Sequence, residues 1–151
     1  MIDVRNQKQV AVAWDPATRL YPEPPFCPSD RYPEYAGDVS PTPNAIYGMV
    51  RCVLADLGLD RAHFGTPEWN PIGDLVRPGA KIVLKPNWVL HHNLGPGGTD
   101  CLVTHASVLR AVLDYVFLAR PREVVVGDAP IQDCDFDALV KLGTQQVVDY
   151  L

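Results

Sequence analysis

With 151 residues, 47% of them hydrophobic, and a formal net charge of −5, the chain has the length and composition of one soluble α/β domain that can bury a core. The acidic balance excludes a nucleic-acid or anionic-membrane surface, which needs clustered Lys and Arg; the 13 basic residues here are scattered. No apolar run approaches the roughly 20 residues of a membrane-spanning helix, and the polar start MIDVRNQKQ lacks the apolar centre of a secretory signal, so a cytosolic location is expected.

Gln9 to Trp14 reads as a first strand, closed by Asp15-Pro16 because proline cannot donate to a ladder. Eight of the fifteen prolines then fall between Pro16 and Pro43, which excludes regular structure there and predicts a long loop. Its aromatics, Tyr21, Phe26, Tyr32 and Tyr35, favour a packed segment over a disordered one, either as a wall of a pocket or as a surface excursion. Thr42 as cap and Pro43 at the first helical position open a helix whose apolar face is Ile46, Met49, Val50, Val53, Leu54 and Leu57, and Gly58 stops it. Asp60 to Val76 reads as connecting structure with a short helix at Ile72 to Val76, and Pro78-Gly79 turns into a second strand.

That strand, Lys81 to Leu84, and a third, Glu123 to Val126, are β-branched apolar runs of the kind buried on both faces of a parallel sheet. Val108, Leu109, Val112, Leu113, Val116 and Phe117 form a helical face between them, with Thr104 as cap, so the unit is strand, helix, strand. A short helix from Phe136 to Leu142 with Gly143 as its stop follows, and Thr144 starts another helical pattern through Val147, Val148 and Leu151.

Ligands of open α/β sheets bind beyond the carboxyl ends of the strands. Those ends supply Asp15, Lys85 with Asn87, and Gly127 with Asp128, while Thr104 and His105 open the helix. Lys85, held by Pro86 after a buried strand, can neutralise a phosphate or carboxylate, or act as a base if burial lowers its pKa; the plain alternative is a structural ion pair with Asp128. Asp128 can accept a proton, bind a metal or cap a turn. His105, at the positive end of a helix dipole, should be neutral and suited to act as base or ligand. Asn87 can orient a substrate, and the run Gly95 to Thr99 offers an anion nest without the ending of a P-loop.

A metal site is the weaker reading. His91, His92, Cys101, His105 and Asp128 supply donors, but adjacent histidines seldom face one ion. The four cysteines, Cys27, Cys52, Cys101 and Cys134, are too widely spaced for a metal knuckle, and Cys52 reads as a small buried hydrophobe inside its helix.

The motifs VLKPNW, VTHASVLRAVLDY and EVVVGDAP, in that order, resemble the family catalogued as domain of unknown function 362. The resemblance spans about Val10 to Leu151 and is densest from Pro78 to Pro130. It implies that Lys85, Asn87, Thr104, His105, Gly127 and Asp128 are the family's characteristic positions. Some members carry a ferredoxin-like segment of clustered cysteines, which this chain lacks, and members extend beyond the position matching Leu151, so the chain resembles an amino-terminal portion.

The expected architecture is therefore a single α/β domain over residues 1–151, three-layered, with a mostly parallel sheet, helices on both faces and a long Pro/aromatic insertion after the first strand. Its site is formed by Lys85, His105 and Asp128 as catalytic groups, with Asn87, Thr104, Gly127 and Asp15 binding the substrate, a small anionic metabolite. The alternative is a non-catalytic binding or assembly module that docks a protein partner on the segment 16–43. The sequence specifies no cofactor.

Overall fold

The computed structural model describes residues 8–145 and residue 147. It is a mixed α/β structure in which helix α2 (Ala106–Leu118) lies between a small sheet and a second helix, α1 (Ala45–Asp56). Strands β1 (Lys81–Leu84) and β2 (Glu123–Val126) pair in parallel, with Lys81 opposite Glu123 and Leu84 opposite Val126. These are the only two strands among the described residues. A five-residue helix, α3 (Phe136–Val140), follows β2. Among the described residues no helix is long and apolar enough to cross a membrane.

The strands alternate as period two demands. Ile82, Leu84, Val124 and Val126 face α2, while Val83 and Val125 are 65% and 37% exposed. Of the expected burial on both faces, the described residues supply one: the face toward α2 is covered and the other is open. The first strand is corrected. Gln9 to Trp14 runs without strand pairing and its backbone bonds no described residue, because the β1–β2 ladder is built without it. The Pro/aromatic segment therefore precedes both strands of the sheet.

Two clusters make the core, one on each side of α2. Against the sheet, Leu109 and Leu113 pack with Phe26, Trp88, Ala106 and Leu139; burying each leucine contributes about 1.5–3 kcal/mol. Against α1, Ala111 and Tyr115 pack with Tyr47 and Trp69. This double burial explains why Arg110 and Tyr115 are buried although the apolar periodicity assigns them to the outer face, and why Phe117 of the expected face is exposed.

Several boundaries move. Asn44, not Thr42, caps α1, its side chain accepting from the Tyr47 amide, and Thr42 bonds Ser40 instead. Tyr47 is the buried residue of α1, with Val50 and Leu54 packed beside it, while Ile46 and Met49 stay partly exposed and Cys52 is exposed rather than buried. Gly58 ends α1 as expected: at φ +74° its amide bonds Ala55 O and the Leu59 amide bonds Leu54 O, a left-handed stop that favours glycine. The short helix after Asn70 is a 3₁₀ turn, Pro71–Asp74. Gly143 stops nothing, since α3 passes into a π-helical turn at Lys141–Gln145; Val147 beyond it is buried, and Val148 and Leu151 lie outside the described residues.

The proline-rich segment is packed. Phe26, Cys27 and Glu34 are buried, and the Asn44 amide ties the chain down by donating to Phe26 O and Cys27 O at 3.0 Å each.

Candidate functional site

Beyond Leu84 the chain leaves β1 through Lys85, buried Pro86 and exposed Asn87, then pairs with the segment that leads into α2. The Asn87 amide donates to Thr104 Oγ1 at 2.9 Å and Asn87 O accepts from the Thr104 amide at 2.8 Å, and Trp88 bridges Val103 in antiparallel fashion. The end of β1 and the start of α2 are thereby fixed together. Thr104's hydroxyl is consumed in this pairing, and Gly127's amide continues the ladder to Leu84 O at 3.1 Å, so both build the edge rather than offer groups to a ligand.

Asp128 stands at the end of β2, and its side chain is 4% exposed. Oδ2 accepts the Trp88 amide at 2.8 Å, Oδ1 accepts the Ala129 amide at 2.7 Å, and Lys85 Nζ lies 2.7 Å from Oδ1. The Lys85 bond, and after it the Trp88 amide, hold the carboxyl below the usual carboxylate range. A carboxylate so satisfied is a clip between the two strand ends, poorly suited to take a proton. Lys85 differs, because its side chain is 66% exposed. An ammonium has three donors, and one bond to Asp128 leaves others facing solvent.

His105 caps α2, a role expected of Thr104. Its Nδ1 accepts the Ser107 amide at 3.2 Å and lies 2.9 Å from Ser107 Oγ. Tyr21 stacks on the ring at 4.2 Å, 9° from parallel, and Phe26 meets it edge-on at 5.7 Å. Burial between these rings pushes the imidazole pKa down, against the raising influence of Asp100 and Glu23. The hydrogen bond at Nδ1 assigns the neutral ring's proton to Nε2, so toward a ligand this ring donates; service as a base requires giving up the cap. Tyr21 and Phe26 escape sequence reasoning because nothing local links a proline-rich loop to a helix start eighty residues on.

Asp15 is elsewhere. Since Gln9 to Trp14 is not in the sheet, Asp15 lines a cleft of about 290 Å³ with Trp14, Arg19, Tyr21, Ile46 and Met49, and it closes a turn by accepting from the Ala17 amide and the Thr18 hydroxyl. Those two bonds, Thr18's first, lower its pKa. The glycine loop is not an open nest either: Asn93 Oδ1 takes the Gly95 amide and its Nδ2 donates to Gly98 O, both at 2.9 Å. His91 Nδ1 accepts the Asp135 amide while Nε2 faces His92 Nδ1 at 3.0 Å, and among the described residues no group of three His, Cys, Asp or Glu is arranged to hold a metal ion.

The chain matches no protein-family model, no curated protein and no solved structure. What the edge can do chemically therefore rests on its geometry.

A second charged cluster, unmarked by any motif, lies between the Pro/aromatic segment and both helices. Glu34 accepts from Arg51 Nε at 2.7 Å, from Arg51 Nη2 at 3.3 Å and from the Tyr115 hydroxyl at 3.0 Å. The Arg51 guanidinium also lies over Tyr32 and Phe64 at 4.6 Å and Trp69 at 5.1 Å. Alongside, Asp114 accepts from Arg110 Nε at 2.9 Å and from the Tyr47 hydroxyl at 3.1 Å. Burial raises the Asp114 pKa despite Arg110, and burial chiefly raises those of Tyr47 and Tyr115. These groups satisfy one another, which makes the cluster a fastening.

Proposed function

We propose that the chain binds a small anionic metabolite at the carboxyl edge of the sheet, with Lys85 as the anion-binding group, as part of an enzyme acting on that metabolite. The observation that carries this reading is the asymmetry of the Lys85–Asp128 pair: the carboxylate is buried and triply bonded while the ammonium is largely exposed. A pair serving the fold alone gains nothing from an exposed cation, because exposed ion pairs contribute little. Asn87, whose side chain is exposed on the same edge, and His105, donating from Nε2, are the groups to orient the metabolite.

Resemblance to the domain of unknown function 362 family belongs to the same proposal. It is supported by the meeting, at one edge, of three motifs far apart in sequence: Lys85 and Asn87, Thr104 and His105, and Gly127 and Asp128. The three-layer sheet with helices on both faces is also proposed, since parallel sheets are almost always covered on both sides and the Val83–Val125 face is open. The assembly-module reading is less favoured because Phe26, Tyr32 and Tyr35 of segment 16–43 pack inward, leaving Leu20 and, in part, Tyr21 as its exposed large apolar residues.

The test is thermal-shift titration of wild type and Lys85→Met with inorganic phosphate and with a dicarboxylate such as malonate. A ligand bound to the folded state raises the wild-type melting temperature by mass action, and Lys85→Met should lose that rise while melting normally without ligand. Equal shifts in both proteins, or none at millimolar anion, would remove Lys85 from the reading.

A further inference from the structure

Two incomplete features stand in one chain. The sheet has only two strands among the described residues, both outer edges unpaired and one apolar face open, although an isolated two-stranded sheet is marginal in water. The segment Gln9 to Trp14 has the composition and period of a strand, bonds none of its backbone to described residues, and turns out Val10, Val12 and Trp14 at 83%, 78% and 80% exposure while Ala11 and Ala13 are half-buried. Beyond the turn at Asp15, its hydrogen bond to the described residues is from Gln9 Nε2 to Asp56 O, at the exposed end of α1. A stripe of three large apolar side chains left in water carries a hydrophobic cost that docking on a sheet removes.

We infer that Gln9 to Trp14 is a strap that closes onto an outer edge of the β1–β2 sheet as a third parallel strand. Its occupancy of that edge, rather than that of a foreign chain, follows from where the segment is tethered. Tyr21 is stacked on His105, beside the carboxyl ends of the strands. Six residues separate it from Trp14, a reach of up to about 23 Å once the turn at Asp15 to Thr18 opens, so Trp14 reaches the carboxyl edge while the packing from Phe26 onward stays in place. With its carboxyl end tethered there, entry in the direction of β1 and β2 needs the shortest reach, because Trp14 then lies beside the carboxyl ends of the strands. Closure also carries Asp15 to the edge that holds Lys85 and Asp128, and withdraws Trp14 from the cleft it lines against α1. The closure stands independently of the anion-binding reading.

Trp14 is the exposed one of three tryptophans, Trp69 and Trp88 being buried, so acrylamide quenching of intrinsic fluorescence reports on it. Trp69 and Trp88 are shielded in either arrangement, so the comparison is with Trp14→Phe: a docked strap shields Trp14, and the quenchable fraction of wild-type emission should then be no larger than that of Trp14→Phe. Val12→Pro is the second arm, because proline within a strand removes a ladder donor, whereas at an exposed unpaired position it changes little. Val12→Pro should restore quenching and lower the melting temperature by several degrees. A Trp14 fully quenched in wild type overturns the closure, and so does a Val12→Pro protein that melts and quenches like wild type. Shielding that appears only as concentration rises, together with a dimer by size exclusion, assigns the docking to a second copy and overturns closure within one chain. Neither readout involves a ligand, so loss of the anion site leaves this test unaffected.

Discussion

The carboxyl edge and the Glu34–Arg51 cluster are both built on a buried carboxylate facing a cation, and they do opposite things with it. In the cluster both partners are largely enclosed: Arg51 holds both carboxylate oxygens of Glu34, three aromatic rings lie against the guanidinium, whose side chain is 14% exposed, and the Tyr115 hydroxyl adds a second bond to Oε1. At the edge only Asp128 is buried, and Lys85 reaches out of the fold. Charge that is buried and matched fastens elements together, and charge matched on one side and exposed on the other is left available to a ligand. Accessibility of the cation, rather than the presence of the pair, separates this fastening from the proposed site.

The sharpest way to break this comparison is Arg51→Met. It strands the Glu34 carboxylate in the aromatic cluster, and about 3 kcal/mol of stability should be lost in denaturant unfolding. A loss under about 1 kcal/mol would mean that the cluster is wet and that the contrast with the edge is false.

Next comes Asp128→Ala, which removes the acceptor of two backbone amides and of Lys85; a loss of roughly 2 kcal/mol is expected, against under about 0.5 kcal/mol for the exposed partner Lys85→Met. Equal losses from the two variants would make the edge a fastening like the other.

The two buried tryptophans sharpen the contrast further. Trp69 Nε1 donates to Leu59 O at 3.0 Å, while Trp88 Nε1, beneath the edge, is buried with no partner among the described residues. Replacement by phenylalanine removes a hydrogen bond at the first and an unsatisfied donor at the second. Trp69→Phe should therefore cost about 1 kcal/mol more than Trp88→Phe in paired chemical melts.

The smallest effect is the pH response of His105. Its folded pKa lies below the ordinary value near 6.5, so the unfolded chain binds the proton more readily. The contribution to stability is fully present above about pH 6.5 and declines as pH falls from there to the folded pKa. Asp128, whose pKa is also depressed, adds a loss of the same sign only below about pH 4. Melting temperatures between pH 7 and 5 should slope less in His105→Gln than in wild type; parallel slopes would deny the burial of the ring under Tyr21.

How much of this was legible depends on range. Strands β1 and β2, helix α2 between them and the positions of Lys85 and Asp128 at the strand ends follow from short apolar runs, helical period and turn residues, all of which act within a few residues. The glycine stop at Gly58 is equally local. The caps lie one or two residues from where the sequence points, because Asn44 beside Thr42 and His105 beside Thr104 are competing polar groups and only the backbone path selects between them. Gln9 to Trp14 has a strand's pattern without a strand's partner, since pairing is not a property of the segment.

The sequence by itself thus determined the local elements and the chemistry available at their ends, because propensity, capping and periodicity are short-range. Only the tertiary structure decided which charges are buried. Packing α2 between the sheet and α1 took Arg110 and Tyr115 out of water, and folding the proline-rich segment back over both helices did the same for Glu34 and set Tyr21 on His105. Those contacts join residues dozens of positions apart, and desolvation, which sets the pKa of His105 and separates the roles of Lys85 and Arg51, exists only once they have formed.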